Sequence, residues 1–223
     1  MFLTRVELPW EAARNPYDIH RQLWRLFPGE APEPRASDDE KRQGFLFRVE
    51  SSLAGRPARL LVQSRLKPEI APGVSLIGTR EFHPNPSAGQ RVAFLLTANP
   101  VKTIVDVEVE AKPDKLRRHV ERSDRRGDKI SRSPKSRVPI VKEEEQRQWL
   151  TRKLRGAGMV DGVSILPHAP TYFRKGNKGG KLVTVTFEGV LNVTDADRLT
   201  GLLEAGIGPA KAFGCGLLLV RRV

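Results

Sequence analysis

The stretch Asn15-Pro16-Tyr17-Asp18-Ile19-His20-Arg21-Gln22-Leu23-Trp24-Arg25-Leu26-Phe27-Pro28-Gly29 decides how the chain is read. Asn is a favoured N-cap, Pro fits the first helical position, and the residue before a proline is pushed out of the α region, as a cap requires. Ile19, Leu23, Leu26 and Phe27 then recur at helical spacing until Pro28-Gly29 stops the run. Extended segments flank this helix. Phe2, Leu3, Val6 and Leu8 form a strand ended by Pro9, and a polar, Pro-containing loop runs over 30–43. Residues 45–51, 59–64 and 76–82 follow as strands, with Gly55-Arg56-Pro57 turning between the first two. The order is β-α-β-β, then a segment too short for a helix, then β.

Two prolines, a glycine, Asn and Ser crowd into 84–90, which marks a boundary at 88/89, and beyond it the same order recurs. Residues 91–98 read as a strand. A basic arm follows, and then a helix over 143–157, with Gln146, Trp149, Leu150, Lys153 and Leu154 on one face and acids in its first turn, as the helix dipole favours. Residues 163–167 and 171–174 are strand-like, and 181–193 is a long β-rich run after a hairpin-like 175–180. Thr194 is placed as the cap of a short helix over 195–205, and 217–221 is the last strand. The expected fold is α+β: tandem ferredoxin-like (RRM-like, β-α-β-β-α-β) domains, 1–88 and 89–223. That architecture hosts many functions, and the aromatic signature of an RNA-reading RRM sheet is absent from the sequence.

Of 223 residues, 39 are Lys or Arg and 26 Asp or Glu, a net +13, while 39% are hydrophobic. A chain with that apolar share folds, so the excess charge sits on a folded surface and attracts polyanions, nucleic acid ahead of an anionic membrane. The single Cys215 excludes an intrachain disulfide. The start MFLTRVELPW does not read as a leader, and no apolar run reaches the roughly 18 residues of a spanning helix. A soluble, cytoplasmic protein with no membrane partner is expected. The charge is uneven along the chain: residues 1–111 are net +1, residues 112–137 net +7, and residues 138–223 net +5. The 112–137 arm has almost no apolar periodicity. It reads either as a phosphate-gripping segment, with Arg117, Arg125, Arg126, Arg132 and Arg137 as contacts, or as a solvated loop.

Tyr17 and His20, three apart, share a helix face away from Leu23 and Phe27. A His near its ordinary value of about 6.5 donates or accepts protons near neutrality, and a Tyr beside it can share the transfer. A half-buried structural pair fits the same spacing. His83, His119 and His168 have no Cys or His neighbours at ligand spacing and the chain lacks CxxC, a Walker loop and G-x-S-x-G, so neither a metal nor a cofactor is expected. Gly206, Gly208, Gly214 and Gly216 lie within 11 residues beside Lys211. Such a loop lets backbone N–H groups approach phosphate, although a plain turn explains it equally.

Six ordered blocks resemble the CasE family, the CRISPR-associated endoribonucleases of type I-E systems. They are 17–29 around Tyr17 and His20; Ala98-Asn-Pro-Val-Lys-Thr103; Arg137-Val-Pro-Ile140 leading to Glu144-Glu-Gln-Arg-Gln-Trp-Leu150; Tyr172-Phe173; Phe187-Glu-Gly-Val-Leu191; and 206–217. The resemblance implies metal-independent cleavage of CRISPR repeat RNA at the 3′ base of its hairpin. The 2′-hydroxyl attacks to give a 2′,3′-cyclic phosphate, and the mature crRNA stays bound within Cascade beside its other subunits. It implies His20 as general acid or base with Tyr17 as partner, Arg25 as a cation near the phosphorane, and Lys102, Arg137, Lys211 and the glycine loop along the RNA. The rival expectation is a non-catalytic RNA-binding subunit of a CRISPR ribonucleoprotein.

Overall fold

The computed structural model describes the chain apart from residues 30–43, 106–134 and 176–177. Strands β1 (Phe2–Leu8), β2 (Phe45–Ser51), β3 (Ala58–Ser64) and β4 (Ser75–Glu81) form an antiparallel sheet in the order β2-β3-β1-β4. Alternation sorts its faces: Val6 and Leu8 of β1 lie opposite Leu60 and Ala58 of β3, all four fully buried, while Arg5 and Glu7 turn to the other side. Two helices follow β1. The first, α1 (Trp10–Ala13), is a single turn closed by the Pro9 carbonyl, too short to leave a periodic signal in the sequence. The second, α2 (Pro16–Trp24), is the helix read from 15–29, and it buries Ile19 and Leu23 against Phe45, Phe47, Leu60 and Val62.

The apolar run extends to Phe27, but α2 stops at Trp24. Leu26 N–H bonds Leu23 O and Phe27 N–H bonds Trp24 O, tightening the last turn, and Phe27 precedes Pro28, which keeps it out of the α region. Leu26 and Phe27 still reach the core. No helix lies between β3 and β4. Pro68 and Pro72, four apart, each lack the N–H an interior turn needs, and the segment instead packs Ala71 and Val74 into the core, pinned by Glu69 N–H on Leu26 O.

The second half runs β5 (Arg91–Ala98), α3 (Glu143–Leu154), β8 (Gly158–Pro167), β11 (Val185–Val193), α4 (Ala196–Ala205) and β12 (Leu218–Arg222), with sheet order β12-β5-β11-β8. Both sheets have the fourth-first-third-second order of the ferredoxin-like fold, so the molecule is α+β with tandem ferredoxin-like halves. Trp149, Leu150 and Leu154 of α3 and Leu199 and Leu203 of α4 are buried with Phe187, whose ring lies 6.0 Å from that of Trp149.

Three local expectations are corrected. Asp195, not Thr194, caps α4, its carboxylate accepting from Arg198 N–H. The run over 181–193 is two strands: β10 (Lys178–Leu182), which pairs with β9 (Thr171–Lys175), and β11. The strand expected at 163–167 begins at Gly158.

The chain divides into two compact units, Met1–Pro100 with Glu143–Val223, and Val101–Lys142. Within the latter, β6 (Val101–Val105) and β7 (Lys135–Pro139) form an antiparallel ribbon, so the end of the 112–137 arm is a strand where a mobile loop was expected.

Candidate functional site

Asn15 sets the start of α2: its backbone is extended and its side-chain oxygen accepts from Tyr17 N–H at 3.4 Å. Pro16 takes the first helical position and Asp18 sits in the first turn, where a carboxylate suits the dipole. This fixes Tyr17 and His20 on neighbouring turns. The His20 ring stands among aromatic side chains, 5.2 Å from Phe45, 5.9 Å edge-on to Trp24 and 6.3 Å from Phe47, centroid to centroid. Nε2 is buried with no hydrogen-bond partner among the described residues. Desolvation penalises the imidazolium and lowers the pKa from 6.5 to about 4, so the ring is neutral at pH 7.

The Tyr17 ring lies 6.3 Å from Phe213, which in turn lies 4.4 Å from Phe173 of β9. Phe213 belongs to a short 3₁₀ helix, Lys211–Phe213, inside the glycine loop, and the loop therefore packs beside α2. Phe173 and Phe213 were not singled out from the sequence as walls of this site. The signal was present, since both fall inside blocks that resemble the CasE family, but isolated aromatics say nothing of their neighbours.

All four loop glycines have positive φ, and two show why. At Gly206, φ +72°, a Cβ would meet Leu46 Cδ2 at 2.8 Å; at Gly216, φ +92°, it would meet Ile207 O at 2.9 Å. The fold itself demands these glycines, as a plain turn would. Ala210 also adopts φ +64°, a conformation costly for a side chain-bearing residue. Lys211 Nζ donates to Ala205 O at 2.7 Å, at the end of α4, so the lysine staples the loop to that helix. Its pKa is lowered first by burial and then by Lys153. Cys215, in the same loop, is buried and its thiol is pushed up to about 12, which leaves it protonated.

Arg25 stands at the C-cap of the helix that carries His20. It follows His20 by five residues, about 140° around the helix. Its guanidinium is exposed, bonds Gln22 Oε1 at 3.1 Å and lies toward Gly73. Lys102 and Arg137 are exposed in the β6–β7 ribbon, where Lys102 lies opposite Val138 and Arg137 opposite Thr103, which puts the two cations on opposite faces. Arg117, Arg125, Arg126 and Arg132 lie outside the described residues. Among the described residues no group of three or more His, Cys, Asp or Glu side chains is placed to hold a metal, and no helix is long and apolar enough to cross a membrane.

Tandem ferredoxin-like halves, with a histidine helix walled by a glycine loop, define the class of protein. The chain matches the family described as CRISPR associated protein over residues 1–222. It is 37% identical over 218 residues to the CRISPR system Cascade subunit CasE of Escherichia coli, covering 98% of each chain. It is 30% identical over 243 residues to the CRISPR-associated endoribonuclease Cse3 of Thermus thermophilus, covering 99% of each. Among solved structures, Cas6e of E. coli superposes with a TM-score of 0.79 at 34% identity over the whole of both chains. Thermus thermophilus Cse3, bound to an RNA representing a pre-cleavage complex, gives 0.69 at 28% identity over 99% of this chain and 98% of that one. The chain belongs to this CRISPR-associated protein family.

Proposed function

We propose that the chain is the RNA-processing endoribonuclease of its CRISPR system. It cleaves repeat RNA at the 3′ base of the hairpin and keeps the mature crRNA as a subunit of Cascade, in the cytoplasm. The observation that carries this reading is His20: a neutral imidazole in an aromatic recess on α2, with an unengaged buried nitrogen beside Tyr17 on the same helix face. In support stand the relative named an endoribonuclease and the neighbour solved on a pre-cleavage RNA.

The reaction needs no nucleophile from the protein. The 2′-oxygen loses its proton and bonds phosphorus, the bond from phosphorus to the 5′-oxygen breaks, and that oxygen gains a proton, leaving a 2′,3′-cyclic phosphate and a 5′-hydroxyl. Burial leaves His20 able to accept at pH 7 and makes its imidazolium a ready donor, while an anionic phosphate beside the ring raises its affinity for the proton. Tyr17 orients that exchange. Arg25 enters as the cation for the phosphorane, a role that requires its guanidinium to leave Gln22, and Arg25→Ala tests it. Lys102, Arg137 and the arm residues Arg117, Arg125, Arg126 and Arg132 are proposed phosphate contacts, with the 206–216 loop along the RNA, and we keep 88/89 as the boundary between the halves. Replacing Arg125, Arg126 and Arg132 with Ala should flatten the salt dependence of binding by about one unit of slope per lost contact.

The deciding experiment is cleavage of a repeat hairpin in EDTA by wild type and His20→Ala. Loss of cutting with binding retained, a cyclic phosphate on the wild-type product, and an intact 2′-deoxy substrate support the reading. An active mutant, or a requirement for Mg²⁺, overturns it.

A further inference from the structure

Asn15 does more than cap α2. Its side chain has two acceptor lone pairs and two donor hydrogens, and all four are used. Oδ1 accepts from Tyr17 N–H at 3.4 Å and from Arg174 N–H at 3.2 Å; Nδ2 donates to Arg174 O at 3.0 Å and to Asp18 Oδ2 at 2.9 Å. Only the first of these is needed for a cap. The two bonds to Arg174 reproduce a strand-to-strand ladder step, with a side-chain amide in place of a backbone, and they join residues 159 apart in sequence.

What Asn15 holds is a ribbon that otherwise stands apart. Among the described residues β9 and β10 pair only with one another and belong to neither four-stranded sheet. A two-stranded ribbon is marginal without packing. This one bears the exposed cations Arg174 and Lys181 and the exposed Tyr172 around a cleft of about 840 Å³ that also touches Arg14 and Asn15. Its contacts toward α2 run through Phe173 on Phe213, and Phe213 beside Tyr17, and through the Asn15–Arg174 pair. Whatever moves β9 therefore moves the first turn of the helix that carries Tyr17 and His20.

We propose that Asn15 is a positioning residue that ties the β9–β10 ribbon to the start of the catalytic helix, so that RNA seated on the ribbon fixes where Tyr17 and His20 stand. The proposal rests on the cleavage reading above. It makes the bond pair matter for the rate of the chemical step and little for affinity, because Asn15 itself donates nothing toward the RNA.

Serine caps helices about as well as asparagine but is too short to reach Arg174, so Asn15→Ser separates the two roles. Its expected behaviour with a repeat hairpin is a Kd and a melting temperature near wild type and a single-turnover cleavage rate roughly tenfold to a hundredfold lower, the scale on which small misplacements act. Asn15→Ala, which also loses the cap, should lower the melting temperature as well. Amide hydrogen exchange without RNA gives a second readout: in Asn15→Ser the Arg174 amide should lose protection while the interior amides of α2 keep theirs. A serine variant that cleaves at the wild-type rate, or one that loses affinity with an unchanged rate at saturating RNA, overturns the proposal, as does an Arg174 amide equally protected in both proteins. Wild type that fails to cleave would instead overturn the cleavage reading, and the exchange experiment would still decide whether the tether exists.

Discussion

In the second half, α3 and α4 both lay a buried face on the sheet β12-β5-β11-β8, and the molecule's longest described helix, α3, carries no candidate for the reaction. In the first half α2 does the covering with one short turn before it, because Pro68 and Pro72 deny the connection from β3 to β4 a helix. The strand order is the same and the covering differs. The thinner half is the one whose helix holds an ionisable ring among aromatics, and the thicker half supplies the glycine loop, which packs beside that helix at Tyr17, and the β9–β10 ribbon, which bonds it at Asn15. The halves are also sewn directly, Gln63 Nε2 of β3 donating to Leu203 O of α4 at 2.6 Å. Stability and chemistry are thus unequally shared between two copies of one topology.

The largest expected effect sets the two leading helices against each other. His20→Ala on α2 should lower the single-turnover rate by about 10²–10⁴-fold, the range for losing a general acid or base. Arg147→Ala on α3, which removes bonds to Glu143 and to Val163 O, should leave that rate within about twofold. A comparable fall for Arg147→Ala would break the division of labour. Next comes the core beneath each helix. Leu23 and Leu150 are both essentially inaccessible, and either truncation to Ala should cost about 2–5 kcal/mol in urea unfolding. Leu23→Ala should cost more, since among the described residues of its half the single turn of α1 is all that shares the load; equal losses would show that the thinner covering does not matter.

Legibility in the sequence follows the same line. Where periodicity and punctuation agree, as in 15–29 with its Asn-Pro start and Pro-Gly stop, the element and its buried face are readable, and β5 alternates plainly. What is not readable depends on partners distant in sequence. The break that separates β10 from β11 lies in a run of uniformly β-forming residues and is set by which strand pairs with which. The β6–β7 ribbon was hidden under charge. At the site, His20 and Tyr17 were visible by type and spacing, but the recess that lowers the His20 pKa is made by Phe45 and Phe47, a strand away. The spacing that offered Arg25 as a cation does not reveal that its guanidinium bonds Gln22 Oε1.

The burial of His20 gives the first half a pH response of definite sign. Its folded-state value, about 4, lies below the 6.5 of the unfolded chain. Above pH 6.5 both states are neutral there and the full stability is present. As pH falls below 6.5 the unfolded chain takes up a proton that the folded one refuses, and stability is lost until about pH 4. Between pH 7 and pH 5 the loss is at most about 2 kcal/mol. His20→Gln, measured by urea unfolding at both pH values, should show that much less dependence. An equal slope in the two proteins would mean that the ring is not desolvated in the folded state.

The smallest effect lies in the second half and has the opposite sign. Gly201 sits inside α4, exposed, with no atom within 4 Å of where a Cβ would stand, whereas five residues on Gly206 has φ +72° and Leu46 at 2.8 Å. An unneeded glycine in a helix costs about 0.5–1 kcal/mol relative to alanine, mostly through the freedom of the unfolded chain. Gly201→Ala should therefore raise the melting temperature by a few degrees and leave cleavage untouched, while Gly206→Ala should lower it. The pair tests whether the glycines that end α4 serve the packing of the halves. If Gly206→Ala were as stable as wild type but defective in binding the repeat hairpin, packing would not explain that glycine and its place would follow from the RNA.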